Sequence, residues 1–253
     1  MALWGTIVNA AAIILGGLLG LFLQRMSDSV RNTVMQGIGM ALVALGLSMA
    51  LKSGNFLLIV GSLVVGGVLG ELINVEKGLE RLGAQLERGV QAGMKRFKGG
   101  RGSSESKQGG IAVGFVNTTL IYCVGAMAIL GAMDSGLRGD HVVLYTKSML
   151  DGFTAIIFAS TMGVGVLFSS VPVFLYQGII ALASSGIASL IDKAMLDEII
   201  VQLTAVGGIL IMGIGVNMLE IRKINVANLL PSLAVAAVAV PLVKHLALWW
   251  AGQ

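Results

Sequence analysis

Eight stretches of this chain are long and apolar enough to cross a bilayer, and they account for most of its length. A spanning helix needs about 20 mostly apolar residues. The runs cover residues 3–23, 34–51, 56–73, 111–133, 141–168, 173–191, 199–219 and 226–249. The chain is 56% hydrophobic and 12% charged, with a mean hydropathy of +0.90. A soluble domain carries about 25% charged residues. A soluble fold, a disordered chain and a collagen-like repeat are thereby excluded. The single cysteine, Cys123, excludes a disulfide scaffold. The expected class is an all-α polytopic membrane protein with about eight transmembrane helices. The first run begins almost at Met1 with no basic residue before it, so no separate signal peptide is expected.

The net charge of +4 reads as orientation, and no nucleic-acid partner is expected. One set of loops holds Arg25, Arg31, Lys77, Arg81, Arg88, Lys95, Arg96, Lys98, Arg101, Lys107, Arg222 and Lys223, 12 basic residues in all. The opposite set holds 5: Lys52, Arg138, Lys147, Lys193 and Lys244. The basic side is expected in the cytoplasm. Eight spans then put both termini outside. Trp4, Trp249 and Trp250 suit an aromatic belt on that shared side.

Eight of the 12 basic residues fall between the third and fourth runs. Leu72, Val75, Leu79, Leu82, Leu86, Val90, Met94 and Phe97 recur at helical spacing, with charges on the other faces. This predicts an amphipathic cytoplasmic helix that extends the third span or lies on the headgroups. A Gly- and Ser-rich tether follows over 98–110. The basic residues there either anchor at anionic lipid or recruit a partner.

Sliding the chain along itself by 169 positions aligns 1–73 with 170–242 without a gap. Between positions 12 and 49 the identities are Ala12/Ala181, Gly17/Gly186, Leu21/Leu190, Met26/Met195, Asp28/Asp197, Gly39/Gly208, Gly46/Gly215 and Met49/Met218, eight of 38. Composition alone gives roughly three or four. Each copy holds three spans, and two lie between, so the copies cross in opposite senses. The loop over 24–31 carries Arg25 and Arg31, whereas its counterpart over 193–200 carries Asp197 and Glu198. The predicted organisation is a first transmembrane repeat over 1–73, the cytoplasmic helix and linker over 74–110, a central pair over 111–169 and a second repeat over 170–253. Inverted repeats characterise secondary transporters, whose sites lie near the midplane between the copies.

The 36 glycines serve first as packing surfaces, because lipid supplies little hydrophobic force between helices. Some of them could instead mark unwound backbone. Pro172, Pro231 and Pro241 are expected at helix starts or kinks.

Ionisable groups at membrane depth are costly and point to function. Lys147 and Asp151 lie four apart on one face of the fifth span. Two readings of them stay open: a mutually neutralised pair at depth, or an interfacial anchor with Lys147 snorkelling. Asn117 and Thr118 in the fourth span, Thr154 in the fifth, Asn9, Gln36, Gln177 and Asn217 complete a set of amides and hydroxyls around one carboxylate. Hard cations and polar solutes take such ligands. The competing reading of each hydroxyl is a bond to its own helix backbone.

With His141 and His245 the only histidines, no metal site is expected, and no glycine-rich loop ending in Gly-Lys-Ser or Gly-Lys-Thr is present. No cofactor and no enzymatic activity are expected. An intramembrane hydrolase built on a serine and Lys147 is the weakest alternative.

Several motifs carry a resemblance. They are Gly5-Thr-Ile-Val-Asn9 with Gly16-Gly17-Leu-Leu-Gly20, Gln36-Gly-Ile-Gly39, Gly46-Leu-Ser-Met-Ala-Leu-Lys52 and Cys123-Val-Gly-Ala-Met-Ala128. Thr146-Lys-Ser-Met-Leu-Asp-Gly152, Tyr176-Gln-Gly178, Leu203-Thr-Ala-Val-Gly-Gly208 and Lys223-Ile-Asn-Val-Ala-Asn-Leu-Leu-Pro231 continue it. Together they resemble the prokaryotic membrane-protein family known as domain of unknown function 554, of the YdfK/YqgA type. The resemblance covers nearly the whole chain and implies a prokaryotic plasma-membrane location. It carries over no site residue.

The leading expectation is a secondary transporter or channel-like permease for an ion or small polar solute; the chain's length is compatible with a homodimer, and the oligomeric state stays open. The alternative is a non-transporting scaffold or sensor that uses the cytoplasmic helix to hold a partner.

Overall fold

The computed structural model describes residues 2–23, 28–78, 81, 85 and 110–251. Among these residues every regular element is helical. In chain order they are α1 (Trp4–Phe22), α2 (Asp28–Ala50), α3 (Phe56–Ile73), α4 (Gly110–Cys123), α5 (Ala126–Leu137), α6 (Val142–Met162), α7 (Gly165–Phe168), α8 (Ser170–Leu190), α9 (Lys193–Met218), a 3-10 turn (Val226–Leu229) and α10 (Pro231–Ala251). The large apolar side chains of the outer faces stay uncovered. Leu57 is 82% exposed, Met149 78% and Leu190 86%. A water-soluble surface does not carry so much apolar area, whereas a bilayer accommodates it.

Local chemistry sets the helix ends. At α3 the Asn55 side chain accepts from Leu58 N at 3.1 Å, and Asn74 closes the helix in the left-handed region at φ 57°. Both are standard capping devices. At α9 Asp192 accepts from Met195 N at 2.9 Å. That cap starts the helix at Lys193 rather than at 199. The segment over 193–200, expected as a loop, is therefore the opening of α9, with Asp197 and Glu198 inside the helix. Pro231 opens α10 and Pro172 lies in the first turn of α8, where a missing N–H costs nothing. Pro241 lies inside α10.

Two expected spans are interrupted. The fourth breaks between α4 and α5, with Gly125 at φ 133°, and bends by 61°. The fifth ends at Gly163, which adopts φ 82°, a conformation side chains with a Cβ avoid. The short α7 then leads directly into α8. The amphipathic helix expected after α3 is helical to Gly78; most of its remainder and the linker over 98–109 lie outside the described residues.

Among the described residues seven helices are long and apolar enough to cross a membrane alone, and the bent α4–α5 pair is a further candidate. Packing shows how that pair counts. Along the α1–α6 contact, Gly5 lies on Leu144, Gly16 on Gly152 and Gly20 on Ile156. The numbers rise together, so α1 and α6 run parallel. Were α4–α5 a re-entrant loop, α6 would run against α1. The parallel α1–α6 packing fits a bent pair that crosses once, which makes eight candidate spans among the described residues.

The α2–α9 contact is made by glycines. A Cβ on Gly39 would meet Gly215 O at 3.1 Å, and one on Gly208 would meet Gly46 O at 2.6 Å. Here the numbers run oppositely, so α2 and α9 are antiparallel. These four glycines are the ones the 169-residue offset equates, Gly39 with Gly208 and Gly46 with Gly215. Exchanging the two copies turns one contact into the other. α3 and α10 also run against each other, with Gly66 on Ser232 and Gly70 on Asn228 of the 3-10 turn before α10. Around α9 the core is apolar, with Leu210, Ile211 and Ile214 wholly buried beside Ile13 and Tyr122.

Candidate functional site

Three helices bring polar side chains together inside this apolar frame. Asp151 stands at the middle of α6, and Lys147 stands one turn earlier on the same face. Their side chains form an ion pair at 2.9 Å from Lys147 Nζ to Asp151 Oδ2, with a further hydrogen bond to Oδ1 at 3.0 Å. Lys147 is 7% exposed and Asp151 6%. Of the two readings left open by the sequence, the structure has the buried pair.

The pair is tied to α1 and, through Asn9, to α8. Asn9 Nδ2, from α1, donates to Asp151 Oδ2 at 3.1 Å and to Gln177 Oε1, on α8, at 3.2 Å. The close approach of α1 to α6 makes this feasible. Gly16 faces Gly152, and a Cβ on Gly152 would meet Ala12 O at 3.2 Å. Asn9 and Gln177 are both fully buried. The 169-residue offset aligns α8 with α1, so this hydrogen bond joins two helices that the offset equates.

The cluster is not saturated. With the amides oriented as here, Asn9 Oδ1 and Gln177 Nε2 have no hydrogen-bond partner. Thr6 Oγ1, one turn before Asn9, is also fully buried and unpartnered. Buried polar groups are nearly always paired, which sets these three apart as free hydrogen-bonding capacity beside the ion pair. The charges are balanced: one ammonium, one carboxylate, and otherwise only neutral dipoles. An uncompensated charge would be prohibitive at this depth.

The other expected residues fall elsewhere. Thr118 Oγ1 donates to Gly114 O at 2.6 Å, and Thr154 Oγ1 donates to Leu150 O and Asp151 O at 2.9 and 3.0 Å. Both hydroxyls thus serve their own helices. Gln36 is exposed on α2. Asn117 and Asn217 converge on a cavity of about 460 Å³ at the basic end of the molecule, bordered by Glu76, Glu220, Arg222 and Lys223. Asn217 spans the loop after α9, donating to Ile224 O at 2.8 Å and accepting from Ile224 N at 2.6 Å. Thr6 is the residue that sequence reasoning passed over. Its spacing of three from Asn9 was the available signal.

Among the described residues no group of three or more His, Cys, Asp or Glu side chains is placed to hold a metal. Comparison with known proteins adds lineage to this geometry. No solved structure matches the chain. It is 34% identical over 243 residues to the "Uncharacterized membrane protein YdfK" of Bacillus subtilis (strain 168), covering 94% of this chain and 96% of that protein. It is 31% identical over 248 residues to the "Uncharacterized protein YqgA" of Escherichia coli (strain K12), covering 98% and 99%. A family model described as "Protein of unknown function (DUF554)" matches residues 4–241, and the chain belongs to that family.

Proposed function

We propose that this multi-pass membrane protein is a small secondary transporter or channel-like permease for an ion or small polar solute, built as two inverted three-helix units around a central pair, and not an enzyme. One observation carries the reading. The first helices of the two units meet through the buried Asn9–Gln177 hydrogen bond, beside a charge-balanced ion pair and three open polar positions. Midplane sites between inverted copies are where such folds hold their substrates. The reciprocal glycine contacts of α2 and α9 support the inversion, because a two-fold exchange of the units reproduces them. The excess of 12 basic residues over 5 supports a cytoplasmic 74–110 segment with both termini outside.

Reconstitution into liposomes tests the proposal. Flux of alkali cations, protons, small anions and small neutral solutes is measured with the wild type and with Asp151→Asn. The expected result is protein-dependent flux of one of these classes, reduced at least about tenfold by the substitution. Deleting residues 95–110 should leave that flux intact. Absence of flux across the panel, with the same deletion abolishing capture of a cytoplasmic partner, would establish the scaffold instead.

A further inference from the structure

Resting on that reading, we infer that the site takes a monovalent cation, which binds by displacing the Lys147 ammonium from Asp151. Lys147 Nζ lies within hydrogen-bond range of both carboxylate oxygens, at 3.0 and 2.9 Å. It occupies the place a free cation would take. Asp151 Oδ2 also accepts from Asn9 Nδ2, which links it to Gln177 Oε1; Asn9 Oδ1 is buried without a partner, and the Thr6 hydroxyl lies one turn along α1. Oxygen donors of this kind are what hard cations require. A single carboxylate balances a single positive charge. With no other acidic side chain in the cluster, a divalent ion would leave one charge uncompensated at depth, where the cost is large.

The lysine has somewhere to go. It stands five residues into α6, about 8 Å from the helix start at 1.5 Å per residue. A released lysine can run its methylenes along apolar surface and set its ammonium at the interface. One cation enters as one ammonium leaves, so the net charge of the buried cluster is unchanged. The tethered ammonium also keeps Asp151 neutralised between binding events.

The experiment uses the full chain in nanodiscs of neutral lipid. Melting is followed in LiCl, NaCl and KCl against choline chloride at constant ionic strength. The wild type is expected to be stabilised by a small alkali cation over choline. Lys147→Gln should melt about 5–10 °C lower in choline, regain that loss in the cation, and respond at a concentration at least about tenfold lower than the wild type. Asp151→Asn should lose the response. Lys147→Gln with Asp151→Asn should melt near the wild type in choline and be indifferent to the cation. A Lys147→Gln variant that responds no more strongly than the wild type overturns the inference. So does one that fails to fold even in the cation, since the ion is held to replace the ammonium. Cation-independent flux of a neutral solute, lost in Asn9→Leu, would leave the permease reading standing and remove this one. A cation response without any flux would do the reverse.

Discussion

Where α1 meets α8 the contact is a hydrogen bond between two fully buried amides, and where α2 meets α9 it is backbone against backbone across four glycines. Both are contacts between helices that the 169-residue offset equates, yet they are made of opposite materials. The glycine seam gains dispersion by close approach of backbones. The amide seam carries an ion pair and unpaired polar atoms, each of which costs free energy if nothing meets it. Packing alone would have been served by glycines at both places. Cohesion explains the glycine seam; on the proposed function, the amide seam is where a ligand would bind.

The sharpest way to break that comparison is to fill the glycine seam. A Cβ on Gly46 would run into Gly208 O and come within 2.7 Å of Met212 N. Backbone atoms cannot step aside, so Gly46→Leu is expected to cost more than about 3 kcal/mol and to remove the folded protein from detergent extracts. Gly54→Ala, with nothing within 4 Å of the added carbon, should behave as wild type by size-exclusion chromatography. A monodisperse Gly46→Leu protein would mean that α2 and α9 do not touch there.

The amide seam should respond differently. Asp151→Ala leaves a buried ammonium without its partner, an expected loss of about 3–5 kcal/mol in thermal or denaturant melts. Adding Lys147→Met should recover most of that loss, because a neutral pair of apolar side chains carries no desolvation penalty. Failure to recover would show that the pair does more for the fold than balance charge. Asn9→Leu is smaller. It strips donors from Asp151 Oδ2 and Gln177 Oε1, an expected loss of about 1–3 kcal/mol. In the same variant, liposome flux should fall by far more than stability does, which is the mark of a seam that binds something.

The sequence made α3 fully legible and the cluster only in part, for physical reasons. Apolar length, flanked by Asn55 and Asn74, is enough to bound α3 at the expected residues. The start of α9 was misplaced because the charges of Asp197 and Glu198 read as a loop, whereas a helix capped by Asp192 carries them on its first turns. The break at Gly125 was hidden, since a positive φ at glycine leaves no mark that distinguishes it from a packing glycine. Lys147 and Asp151 announced themselves by spacing of four, a local relation. Asn9 and Gln177 are 168 residues apart, and only the fold brings them together. Asn117 and Asn217 are likewise joined by the fold, but at the basic end, away from Asp151.

The smallest expected effect concerns Gln36, which chemistry alone placed with the others. It is exposed on α2. In lipid an amide there finds no water, and its hydrogen-bonding groups must be met by headgroups or by another protein surface. For the isolated chain Gln36→Leu should change stability by less than about 0.5 kcal/mol, because surface positions away from caps and networks rarely matter more. Flux per folded protein should be unchanged. Cross-linking in native membranes gives the measurement its force. If the variant loses a homodimer that the wild type forms, Gln36 faces a second copy across the α2 surface. The polar positions would then divide into three uses: Asn9 and Gln177 between the units, Asn117 and Asn217 at the basic end, and Gln36 between chains. If dimer, flux and stability all survive the change, Gln36 is an interfacial side chain. The amide seam between α1 and α8 would then account for the buried polar chemistry without help from α2.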